Sequence, residues 1–162
     1  MKKNNEYYRQ LRISSREEGR RLAKVNPPDY MYGCILYWTE GSKGRWSIDF
    51  TNSDKCMMQY FWRFLKKYFD CKDEDVTIYV NAYLENGLGM DDIQKNWLDS
   101  LGLPITCLRK FTNRAKYYDS TKSRRKNKQL YGICKLRVHN TSIVEKIIGS
   151  IESEFNMHIE LK

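Results

Sequence analysis

Residues 28–43 read Pro28-Asp29-Tyr30-Met31-Tyr32-Gly33-Cys34-Ile35-Leu36-Tyr37-Trp38-Thr39-Glu40-Gly41-Ser42-Lys43. No residue from Tyr30 to Thr39 carries a charge, and the run is long enough for three helical turns. A helix that is apolar on nearly every side belongs in an interior or an interface. Asp29 can cap its start and Gly41 marks its end. Ordinary helices favour Lys or Arg in the last turn, facing the negative end of the dipole, whereas this one ends on Glu40. A buried helix that delivers one carboxylate from its tip is a means of placing a metal ligand at an interface. It also needs cover. A homodimer built on it supplies that cover, with Gly33 at the crossing and Cys34 and Tyr37 beside it.

Outward from this helix the pattern alternates between helix and strand. Residues 5–24 are polar and basic at helical spacing, and Asn26-Pro27-Pro28 stops them. Residues 45–51 alternate as a strand, with Trp46, Ile48 and Phe50 on one face. Ser53 or Asp54 caps a helix to about residue 69, with Met57, Met58, Phe61, Phe64, Leu65 and Phe69 inward. Residues 76–84 form a second strand. Asp91 or Asp92 opens a helix to 101, stopped by Gly102-Leu103-Pro104, and residues 105–112 and 131–139 read as further strands. A last helix, 142–155, turns Ile143, Val144, Ile147, Ile148 and Ile151 inward. The expected organisation is a basic helical extension, 1–28, and a single α+β domain, 29–162, with an antiparallel four-stranded sheet and helices on one face.

Successive side chains of a strand point to opposite faces. The polar face of these strands carries Ser47, Asp49, Thr51, Thr77, Tyr79, Asn81, Tyr83, Lys135 and Arg137. Hydroxyls, amides and cations on an open sheet are suited to phosphates and base edges, so these residues are candidate DNA contacts. The plain alternative is a solvated sheet face.

Charge points the same way. The net +9 is concentrated in two segments, residues 1–24 at +5 and residues 109–128 at +8, around a middle of −4. In the second segment Arg109, Lys110, Arg114, Lys116, Lys122, Arg124, Arg125, Lys126 and Lys128 face a single acid, Asp119. Such asymmetry implies a polyanionic partner. No apolar stretch reaches 18 residues and no signal-peptide pattern is present, which predicts an intracellular, cytoplasmic protein without a membrane partner, nucleoid-associated when bound. The five cysteines show no C-x-x-C spacing, and the three that sit in apolar runs read as reduced core thiols.

The run Gly33-Cys34-Ile35-Leu36-Tyr37-Trp38-Thr39-Glu40-Gly41-Ser42-Lys43, followed by Phe50-Thr51-Asn52-Ser53-Asp54, resembles the signature helix of the LAGLIDADG homing endonucleases, in a bacterial branch of related proteins. Tyr131-Gly132-Ile133-Cys134 and Thr141-Ser142-Ile143-Val144 are similar to the same branch, so the resemblance spans roughly residues 30–152. It implies a four-stranded saddle over duplex DNA with signature helices paired behind it. It implies Glu40 and the Gly41 carbonyl as ligands of Mg2+ or Mn2+, and Glu40 as the catalytic acid. On the polar strand face, Lys135 or Arg137 is the candidate to stabilise transition-state charge. With one such helix per chain, cleavage needs a homodimer that juxtaposes two Glu40 residues over a near-palindromic site. The family places two strands directly after the signature helix. This chain has one before residue 54 and an additional helix near 91–101.

Other chemistries find little support. His139 and His158 lie in no metal-ligand spacing, and no nucleophile elbow or phosphate-binding Gly-rich loop is present. Asn86-Gly87-Leu88-Gly89 reads as a turn, and Asp70, Asp73, Glu74 and Asp75 read as a solvated loop. The sequence therefore predicts a metal-dependent, dimeric endonuclease on duplex DNA. The rivals are a non-catalytic DNA-binding regulator with the same saddle and an RNA-binding, maturase-like helper.

Overall fold

Polar and basic residues at helical spacing form one long helix, α1 (Lys2–Val25). The prolines that follow end it, because a proline ring disfavours helical backbone in the residue before it. The same fixed φ suits the first turn of the next helix, α2 (Pro28–Glu40). Asp29 is not its cap. Pro27 holds that position, and the Asp29 carboxylate accepts a hydrogen bond from Lys67 Nζ at 2.7 Å. The computed structural model describes residues 2–84, 87–113 and 129–161.

The first strand, β1 (Ile48–Asn52), starts three residues later than its alternation suggests. Trp46, expected beside Ile48 and Phe50, lies ahead of the strand and is 62% exposed. Asp54 caps α3 (Lys55–Phe69), its carboxylate accepting from the Cys56 and Met57 N–H groups. A 3-10 turn at Asp73–Asp75 leads into β2 (Val76–Ala82). Within that turn Asp75 accepts from the Lys72 N–H at 2.8 Å, so an acid of this loop serves the turn itself. Then come α4 (Met90–Leu101), β3 (Leu108–Asn113), β4 (Ile133–Val138) and α5 (Thr141–Phe155), which Asn140 caps.

The strands form one sheet in the order β1-β4-β2-β3. β4 runs antiparallel to both neighbours, but β2 and β3 are parallel, so the sheet is mixed and not antiparallel throughout. The reason is α4, which lies between β2 and β3 in the chain. Parallel neighbours cannot be joined by a tight turn, and α4 lies in the connection that returns the chain to the same end of the sheet. The architecture is α+β. Ile48, Phe50, Val76, Ile78, Val80, Ala82, Cys134, Leu136 and Val138 are buried on one face of the sheet, and the residues between them are half-buried or exposed.

The cover for α2 comes from its own chain. A Cβ on Gly33 would overlap the Phe64 ring of α3, so the missing side chain admits an intramolecular neighbour. Cys34 and Tyr37 are fully buried, with Tyr37 stacked near Phe61 at 5.8 Å, and Tyr30 Oη lies 2.9 Å from Ser150 Oγ on α5. The three residues expected at a dimer interface are thus core residues of one protomer. A second copy is not required to shield the apolar helix, because α3 and α5 already do so.

The basic helix α1 is also part of this body. It packs along α5 closely enough that a Cβ on Gly19 would overlap the Lys146 backbone, and one on Gly149 the Arg16 backbone. Two buried carboxylates of α5 hold it there. Arg16 donates to Glu145 at 2.6 Å and to Glu152 at 3.0 Å, and Arg20 donates to Glu152 at 2.7 Å. Arg16 and Arg20 thereby direct their charge inward, which reduces the basic patch expected of residues 1–24.

Candidate nucleic-acid interface

Strand pairing builds the open face of the sheet in rows. Thr51 pairs with Lys135, Lys135 with Tyr79, and Tyr79 with Lys110. A bulge between Ile78 and Tyr79 makes the last pairing possible. Leu108 lies opposite Ile78 and Lys110 opposite Tyr79, so Arg109 is the extra residue and remains exposed. A neighbouring row runs from Asp49 through Arg137 to Thr77, and a third joins Asn81 to Thr112. Adjacent strands stand about 4.8 Å apart, so the row from Thr51 to Lys110 spans about 14 Å.

Tyr79 is the centre of this surface. Lys135 Nζ lies 4.8 Å from its ring centroid and Arg137 Cζ 5.4 Å, distances at which a cation is attracted to an aromatic face. Arg137 is held in plane by Asp49 through two bonds, Nε to Oδ1 at 2.5 Å and Nη2 to Oδ2 at 2.6 Å. That fork raises the guanidinium pKa further, chiefly through the Asp49 hydrogen bonds. It also cancels the Arg137 charge locally, so Asp49 orients a cation more than it contacts a polyanion. Thr77 Oγ1 donates to the Arg137 carbonyl at 3.4 Å. Ser47 precedes β1 and Tyr83 follows β2, so both lie off the ladder. Arg114, Lys116, Lys122, Arg124, Arg125, Lys126 and Lys128 fall outside the described residues. The sequence missed Thr112, because only the bulge reveals which β3 side chains face outward.

At the end of α2, Glu40 is exposed, and among the described residues it makes no ion pair or side-chain hydrogen bond. The expected second ligand, the Gly41 carbonyl, is engaged. Lys43 Nζ donates to it at 3.3 Å and also to the Trp38 carbonyl. The ammonium therefore occupies the negative end of the helix, the role that a basic residue in the last turn plays elsewhere. Burial lowers the Lys43 pKa somewhat. A divalent cation between Glu40 and Gly41 would meet this positive charge, so the residues as arranged do not fit it. Among the described residues no group of three or more His, Cys, Asp or Glu could share a metal ion. Lys135, on the sheet face, is a neighbour of Tyr79 and Thr51 and not of the α2 terminus in the pairing of strands.

Four of the five thiols offer no nucleophile; the fifth, Cys56, is exposed in the first turn of α3. Cys34, Cys71, Cys107 and Cys134 are buried, and desolvation pushes Cys34 up to about 12 and Cys71 up to about 11. Exposed His158 places Nδ1 2.9 Å from Glu152. Among the described residues no helix is long and apolar enough to cross a membrane. In comparisons with known proteins, no family model matches the chain, and no curated protein or solved structure is significantly similar to it.

Proposed function

We propose that this protein binds duplex DNA through the open face of its sheet and does not cleave it. The observation that carries the reading is the row Thr51–Lys135–Tyr79–Lys110, with oriented Arg137 beside it. Its span of about 14 Å is comparable with the roughly 12 Å width of the major groove, which admits sheet elements. Two lysines of this row can contact phosphates while hydroxyls of Thr51, Thr77 and Tyr79 meet sugar or base edges. Residues 114–128, which follow β3 in the sequence, carry a net +6, in the right sense for the same polyanion. The LAGLIDADG resemblance suggests the same use of a sheet. The Lys43 ammonium at Gly41 favours binding without cleavage over the endonuclease reading.

Replacing Lys110 and Lys135 together with alanine removes two cations that carry no ion pair among the described residues. The expected result is weaker binding to every duplex alike and a salt dependence shallower by about 1.8 in log–log slope, at about 0.9 per phosphate contact. Fluorescence anisotropy across a salt series measures it, and an unchanged slope removes the sheet from the interface.

Cleavage is tested separately. A randomised duplex library should remain intact with Mg2+ or Mn2+ in the presence of the unmodified protein. Should it be cut, and should Glu40→Gln abolish the cutting while duplex binding survives, the endonuclease reading replaces this one.

A further inference from the structure

A groove of about 500 Å³ lies between the N-terminal half of α1 and the turn before β1, lined by Asn5, Glu6, Tyr8, Arg9, Arg12, Arg45 and Trp46. None of its cations belongs to the sheet row described above. Trp46 presents its indole to solvent at 62% exposure, and Tyr8 is exposed on the opposite wall. Arg9 has a weak, exposed contact to Glu6 at 3.5 Å, and Arg12 makes no ion pair among the described residues. Arg45 is anchored by donating from Nη2 to the Leu161 carbonyl at 2.8 Å, and its buried Nε has no partner. Three guanidiniums and one carboxylate leave the groove net positive, with two aromatic faces between them.

We propose that this groove binds single-stranded nucleic acid, stacking an unpaired base on Trp46 and holding its phosphates with Arg9, Arg12 and Arg45. The combination is specific. A positive groove with exposed aromatic rings is how proteins take single strands without reading sequence, because every base has a π-face and every nucleotide a phosphate. Trp46 and Tyr8 are exposed together in one positively charged groove and are not scattered singly. The volume of about 500 Å³ lies within the roughly 300–1,000 Å³ of small-ligand sites, room for a nucleotide or two. Arg45, tied to the C-terminal segment, supplies a fixed cation, and Arg9 and Arg12 supply two on successive turns of one helix. The site stands independently of the duplex reading.

Trp46 also supplies the signal for the test. Trp62 and Trp97 are buried and Trp38 is partly covered, so a stacked base quenches mainly Trp46. The full chain is titrated with 15-nucleotide oligo-dT and oligo-U, following tryptophan emission and the anisotropy of labelled strands. Both strands are expected to bind with quenching, and a preference for one separates DNA from RNA. Trp46→Ala should remove the quench and weaken binding about tenfold or more, whereas Trp46→Phe should lose the quench but hold affinity within about threefold. Arg9→Ala with Arg12→Ala should weaken binding and flatten its salt dependence by about 1.4 in log–log slope. The Lys110→Ala, Lys135→Ala variant should bind single strands normally while binding duplexes more weakly. If Trp46→Ala binds single strands as tightly as the unmodified protein, or if neither strand binds, the proposal is overturned whatever the duplex result. Loss of single-strand binding only in the sheet variant would assign single strands to the sheet instead.

Discussion

Gly33→Leu is expected to destabilise the single chain by about 3 kcal/mol, not to split a dimer. The Phe64 ring already fills the space where a Cβ would go. That ring cannot swing aside, because Tyr30, Phe61, Tyr68 and Phe69 surround it with centroids 5.5 to 5.9 Å away. Overpacking a dense core costs about 1–3 kcal/mol, and here four added carbons press on an aromatic cluster, which puts the cost near or above the upper end. Better helix propensity returns somewhat under 1 kcal/mol. For a chain of this size, a net loss near 3 kcal/mol lowers the melting temperature by about 10 °C. Thermal unfolding followed by circular dichroism measures it, with light scattering alongside. An unchanged melting temperature combined with a shift in oligomeric state would place Gly33 at an interface between chains after all.

Glu152→Ala should cost about 3–5 kcal/mol, the penalty for breaking a buried ion pair and leaving its partners behind. The Glu152 side chain is 2% exposed and serves Arg16, Arg20, His158 and the Ile159 N–H. Arg16 would keep Glu145, but Arg20 would retain only exposed Glu17. Because these residues join α1 to α5, beside the Ser15–Ser142 and Glu18–Lys146 contacts and the close approaches of Gly19 to Lys146 and Gly149 to Arg16, the docking of α1 should loosen first. Hydrogen exchange in α1 faster than in the sheet would reveal this. The cluster also sets an acid limit. Burial raises the Glu152 pKa, but the Ile159 N–H and the Arg20 and Arg16 guanidiniums outweigh it, and the net shift is downward from 4.5. A carboxyl whose pKa is lower in the folded state contributes full stability above its unfolded value and loses it as pH falls through the folded one. Stability should therefore fall below about pH 4.5, and Glu152→Gln should flatten that acid limb. A variant whose acid limb matches that of the unmodified protein would show that Glu152 is not the group responsible.

Both results bear on function. If α2 is an internal helix, two Glu40 residues have no reason to meet, and a palindromic target is no longer implied. If α1 is docked through Arg16 and Arg20, the cations left to its outer surface include Arg9 and Arg12, which line the groove beside Trp46.

What the sequence determined by itself is local. Period-two alternation assigned the faces of β2 and β4, because side chains must alternate on any strand, and those two strands now display Thr77, Tyr79, Asn81, Lys135 and Arg137 together. Helical spacing assigned the buried isoleucines and valine of α5 and most of the buried face of α3, where it missed Trp62 and included half-buried Met57 and Phe69, and Asp54 was readable as a cap because its carboxylate bonds to neighbours in the chain. Tertiary structure alone decided the rest, since each remaining feature joins residues far apart in sequence. An apolar helix advertises a need for cover but not its source, and Phe64 rather than a second chain met Gly33. Basic residues advertise charge but not direction, and Glu145 and Glu152, more than 120 positions away, turned Arg16 and Arg20 inward. The parallel pairing of β3 and its bulge, which bring Lys110 beside Tyr79, depend on hydrogen bonds between strands whose register no local propensity encodes.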